Sequence, residues 1–165
     1  MKTVIFVNGV GEMDNYLFNY CKNLKTVWWK GKVNRIGVQC FGATGLEQFC
    51  VNAKNIDSCA FIGCEDLKEI HIRSGVENLN MTAFAMLTGI ETICLEGIDP
   101  DVMEADWVNL QNSTVTIMVP EDTTDEQLQL VTQKFASAYI IVNKSQVQKA
   151  VSYTHLRAHE TEADL

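Results

Sequence analysis

Apolar residues recur along this chain at six fixed offsets, and the unit they define repeats. In Ile56, Phe61, Cys64, Leu67, Ile70 and Ile72 the offsets are 0, 5, 8, 11, 14 and 16. Leu79, Phe84, Leu87, Ile90, Ile93 and Leu95 reproduce them, as do Met13, Phe18, Cys21, Leu24, Val27 and Trp29. A copy between them, Ile36, Phe41, Leu46, Phe49 and Val51, is shortened by one residue before Leu46 and by two after Val51, so the starts are spaced 23, 20 and 23 residues apart. A further step of 23 reaches Val102, then Trp107 and Leu110, and this last copy loses the pattern at Val115, Ile117 and Val119. Self-similarity at a period in the twenties predicts a solenoid, each repeat burying its apolar edge on its neighbours. Val4 and Phe6 stand before Met13 as Ile70 and Ile72 stand before Leu79. The chain thus opens in mid-repeat, and further coils are expected upstream of Met1.

The alternating pair at offsets 14 and 16 predicts one short strand per coil, and stacked coils then give a parallel sheet on one face. Offsets 0, 5, 8 and 11 turn inward from an opposite wall expected to be irregular. Ala60, Ala83 and Cys40, each beside a Phe, predict tight packing there, and Gly31, Gly37, Gly63, Gly75, Gly89 and Gly97 are expected at turns that need positive φ. After Pro120, Asp122 or Thr124 can cap a helix with Leu128, Val131 and Phe135 on its apolar face, followed by a strand at Tyr139 to Val142. Three regions result: repeat coils over residues 1–119, a capping helix and strand over 120–150, and a non-native or disordered tail over 151–165.

The strings Asn-Ile-Asp-Ser-Cys-Ala-Phe-Ile-Gly-Cys-Glu-Asp-Leu-Lys-Glu-Ile-His-Ile and Gly-Val-Glu-Asn-Leu-Asn-Met-Thr-Ala-Phe-Ala-Met-Leu-Thr-Gly-Ile-Glu-Thr-Ile resemble the BspA-like leucine-rich repeat, in which an Ala-Phe pair is followed by Leu-x-x-Ile-x-Ile. The resemblance covers roughly Val4 to Val119. It implies a leucine-rich-repeat solenoid with a protein-interaction or adhesion role at a bacterial cell surface, and no catalysis. Val151 to Thr161 resembles translated sequencing-adapter read-through, which removes His155 and His159 from any metal argument.

Charge and cysteine content narrow the function further. A formal charge of -8 argues against a nucleic-acid partner, whose phosphates require a basic face. Between Ser74 and Gln133 there are eleven acidic residues and no Lys or Arg, read as a solvated acidic flank. The six cysteines sit at repeat positions that read as small apolar side chains rather than as a disulfide framework. No apolar run is long enough for a membrane span, and the first residues lack a signal-peptide core.

Residues at offsets 13, 15 and 17 face away from the core, and repeat solenoids bind partners through such extended surfaces. The candidate partner-binding set is Trp28, Lys30, Cys50, Asn52, Glu69, His71, Arg73, Cys94 and Glu96. Stacking puts Ile5, Trp28, Cys50, His71 and Cys94 in one exposed row, with Trp28 the best anchor. Cys50 and Cys94 lie two strands apart, about 9–10 Å, too far to share a tetrahedral zinc or a disulfide. No metal, cofactor or small-molecule substrate is therefore expected. Asn8-Gly9-Val10-Gly11 lacks the third glycine and distal acid of a dinucleotide loop. His71 between Glu69 and Arg73 reads as a solvated rung rather than a general base. The expectation is a non-catalytic module that binds a protein or glycan. A purely structural repeat spacer is the alternative, and an enzyme the remote one.

Overall fold

The computed structural model describes residues 2–7, 10–80, 82–97, 115–134 and 139–143. Within them the chain winds as a parallel β-solenoid of about four turns. The coil starts are direct neighbours: Met13 pairs with Ile36, Ile36 with Ile56 and Ile56 with Leu79. The indel in the second copy is thus absorbed in its turns while the apolar marks stay aligned.

The strand at offsets 13 to 17 forms in every described coil. β1 (Thr3–Phe6) pairs with β3 (Thr26–Trp29) as a two-stranded sheet. β5 (Gln48–Val51), β7 (Glu69–Arg73), β9 (Thr92–Glu96), β10 (Val115–Val119) and β11 (Tyr139–Asn143) make a five-stranded parallel sheet. The expected single row is therefore interrupted between Trp28 and Cys50. The interruption falls in the shortened copy, where the Asn52 side-chain amide donates to the Gly31 carbonyl at 3.0 Å and Trp29 packs on Phe49.

The opposite wall is more regular than its sequence suggests. β2 (Glu12–Met13), β4 (Val33–Ile36), β6 (Ala53–Ile56) and β8 (Asn78–Leu79) form a second parallel sheet. Between the sheets, turns donate to the next coil, as Phe18 N to Cys40 O, Phe41 N to Ala60 O and Phe61 N to Ala83 O. Backbone groups that would otherwise be orphaned at turns are satisfied by stacking. Tyr16, Tyr20, Gln39, Ala43, Cys59 and Met86 reach positive φ to make this path.

Inside lies a column of rings at offset 5. Phe18, Phe41, Phe61 and Phe84 stack with centroids 5.3, 5.3 and 5.2 Å apart. Phe49 meets Phe61 edge-on at 4.6 Å, and offset arrangements of both kinds are favoured by the ring quadrupole. Every apolar mark from Ile36 to Leu95 is buried, as are Cys40, Ala60 and Ala83. Cys64 is fully buried, its thiol donating to the Phe41 carbonyl at 3.0 Å and lying 3.2 Å from the Thr44 hydroxyl. Cys21, at the same offset nearer the open end, is half-buried.

Two glycines serve another purpose than the expected turn. Gly37 and Gly89 lack positive φ; a Cβ on Gly89 would strike the Glu65 carbonyl oxygen, and one on Gly37 would meet Asn15 and Met13 backbone. They permit coils to approach.

Between β10 and β11 runs α1 (Asp125–Lys134). Thr124 caps it: the Gln127 amide donates to Thr124 Oγ1 at 3.2 Å, and Thr124 N donates to Gln127 Oε1 at 3.1 Å, a reciprocal capping box. Val131 is buried, but Leu128, expected on the same apolar face, is exposed. Val102, Trp107, Leu110, Phe135 and the tail lie outside the described residues.

Candidate functional site

Strand register brings most of the outward residues together as the repeat implies. Cys50 pairs with His71 and His71 with Cys94. Met118 of β10 extends the row, opposite Cys94. Its place was hidden because Ile117 follows Ile93 by 24 residues rather than 23; the alternation of Val115, Ile117 and Val119 is the signal that reveals it.

Exposure along the row is uneven. Lys30 is exposed, and Trp28, Cys50, Asn52, Glu69, Arg73 and Glu96 are half-buried. His71 and Cys94, expected at the surface, are buried, with 4 % and 5 % exposure. Alternation assigned them to the right face of the strand but did not set their depth. Long side chains from the same and neighbouring strands, Glu69, Glu96 and Met118, close around them.

The His71 ring is held at both nitrogens. Nε2 lies 2.8 Å from Glu69 Oε1, and Nδ1 lies 3.1 Å from Glu96 Oε1. Burial disfavours the charged ring, but hydrogen bonds to Cys94, Glu69 and Glu96 outweigh it and hold the His71 pKa well above the usual 6.5, which favours the imidazolium, whose two N–H groups can each donate to a carboxylate. Arg73 Nε stands 3.8 Å from Glu96 Oε2. Two cations thus balance two carboxylates in a half-buried network.

Sulfur lines the same cluster. Cys94 Sγ is 3.5 Å from Met118 Sδ and 4.0 Å from Glu69 Oε1. Donor atoms of Glu69, His71 and Cys94 all lie within 4.8 Å of one another. Cys50 stands on β5, two strands from Cys94 on β9, with its thiol pushed up by burial. Cys50 and Cys94 thus stand two strands apart, and Glu69, two residues before His71, supplies a donor that the row of offset 15 alone omits.

On the other sheet, Arg35 bridges three coils: Nε donates to Asp57 at 2.8 Å and a terminal nitrogen to Asn15 Oδ1 at 2.8 Å. Asn78 donates to Asn55, and Asn55 to the Asn34 carbonyl. These polar rungs line an open cleft with Val38, Ser58 and Asn80. They are mutually satisfied and join coil to coil.

A protein-family model described as BspA type leucine rich repeat region (6 copies) matches residues 1–55 and again residues 50–102, more than half of the chain. The chain belongs to this family. As a BspA-type leucine-rich repeat protein it carries the Ala-Phe pairs as the aromatic column and the Leu-x-x-Ile-x-Ile run as the strand of the first sheet. No curated protein and no solved structure matches it. Among the described residues no helix is long and apolar enough to cross a membrane.

Proposed function

We propose that this BspA-type repeat is a non-catalytic module that binds a protein or glycan, within a larger bacterial surface or adhesion protein. Family membership carries the reading, because leucine-rich-repeat solenoids act by presenting side chains on a rigid parallel sheet. Two features support it. Trp28 and Lys30 on one sheet, and Asn52, Glu69, Arg73 and Glu96 further along the stack, face outward from the coils, and Trp and Arg are among the residue types enriched at interfaces. The one titratable ring in the row, His71, is buried and held between two carboxylates rather than open to a substrate.

The binding residues are thus Trp28 and Lys30 at one end and Asn52, Glu69, Arg73 and Glu96 further along, with Cys50 between. His71 and Cys94 act beneath the surface by fixing the carboxylates above them. The test is a screen of the full chain against arrays of purified surface proteins and glycans, followed by titration of each hit. Trp28→Ala with Lys30→Ala is expected to weaken binding about thirtyfold, the effect of a hot-spot residue. Asn55→Ala on the opposite sheet is expected to leave it unchanged. Equal affinity for the wild type and the Trp28 variant would assign binding to another face.

A further inference from the structure

We propose that Glu69, His71 and Cys94 form a binding site for one borderline-soft divalent cation of the Zn2+ kind, tying β7 to β9 beneath the outer sheet surface. This inference does not depend on the interaction role. Thiolate, imidazole and carboxylate are the three donor types that such a cation takes.

Geometry supports the set in two independent ways. First, the three donor atoms fall within 4.8 Å of one another, with Nε2 to Oε1 at 2.8 Å and Sγ to Oε1 at 4.0 Å. Tetrahedral ligands around zinc stand about 3.3–3.8 Å apart, so small side-chain rotations suffice. Second, the outer contacts match what a metal-bound histidine needs. Glu96 lies 3.1 Å from Nδ1 and Arg73 backs Glu96, while Nε2 faces Glu69. A carboxylate on the far nitrogen fixes the tautomer and raises ligand basicity.

Strand pairing of His71 with Cys94 places the donors on adjacent strands, and Met118 Sδ at 3.5 Å from Cys94 Sγ keeps the remaining side soft and apolar.

The experiment uses Co2+ as an optical probe on the full chain stripped with chelator. One equivalent is expected to give a thiolate-to-cobalt charge-transfer band, displaced by Zn2+ and absent in Cys94→Ser. Glu96→Gln, which removes no ligand, is expected to weaken binding about ten- to a hundredfold. Cys50→Ser is expected to bind as the wild type does. Absence of the band in the folded wild type overturns the site. So does a band that persists in Cys94→Ser or vanishes in Cys50→Ser. Circular dichroism checks that each variant is folded, and Glu96→Gln keeps the test decisive if Cys94→Ser unfolds.

Discussion

Cysteine shows how position in the coil sets chemistry. Cys40 and Cys64 lie in the core, and burial pushes the Cys40 thiol up to about 12 and raises that of Cys64. Cys21 and Cys59 are half-buried, Cys21 at the less covered end of the core. Brief alkylation at about pH 8 is expected to modify the half-buried Cys21 and Cys59 and to spare Cys40 and Cys64, whose burial shields the sulfur and raises the thiol pKa so that little reactive thiolate forms. Peptide mapping reads the result; early loss of Cys64 would contradict the packing. Glycine gives a second residue-scale test. Gly89→Ala forces a Cβ onto the Glu65 carbonyl oxygen, backbone that cannot swing aside, and is expected to cost about 2 kcal/mol or more. Gly11→Ala has open space around it and is expected to change stability by less than about 0.5 kcal/mol. Denaturant midpoints compare the two.

The elements are held by what each coil hands to the next. Phe61 touches Phe41 below, Phe84 above and Phe49 across, so one truncation breaks three ring contacts. Phe61→Ala is expected to destabilise by about 3–5 kcal/mol, against about 1 kcal/mol for Thr124→Ala at the start of α1. The contrast follows from burial: Phe61 is fully enclosed, whereas the Thr124 cap is exposed. Equal losses in urea unfolding would mean that the column is not the spine. α1 shows the limit of periodicity, since the three- and four-residue spacing marks both Leu128 and Val131, yet only Val131 packs on the core cluster.

At the scale of the whole molecule, backbone pairing among the described residues runs between adjacent coils, so stability is graded along the stack. β1 has a single strand neighbour, β3, and stands apart from the five-stranded sheet, whereas β7 is flanked by β5 and β9. Hydrogen exchange is expected to be fast at Val4 to Phe6 and slowest at Ile70 to Ile72, read by mass spectrometry of native peptides. The reverse order would show that the β1 edge is covered in solution. Inter-coil ion pairs add little to this gradient. Lys54 to Glu77 and Lys68 to Glu91 are exposed, and such pairs contribute about 0–1 kcal/mol.

How much of this was legible depends on what kind of information each feature carries. The repeat offsets determined the solenoid, the inward set and the register of β1 with β3 and of β5 through β9, because a side chain that must be buried in every coil leaves a periodic mark. Ile36, Phe61 and Ile72 are such marks. Depth on the outer face left no mark. His71 alternates outward as Trp28 does, and only the convergence of Glu69, Glu96, Cys94 and Met118 buries it. The second sheet was equally silent, since β4 and β6 contain polar residues whose backbone bonds depend on the neighbouring coil rather than on local propensity. Sequence by itself thus determined which residues face the core and in what order coils stack. Tertiary structure alone decided which outward side chains meet, because that depends on distances across strands more than twenty residues apart.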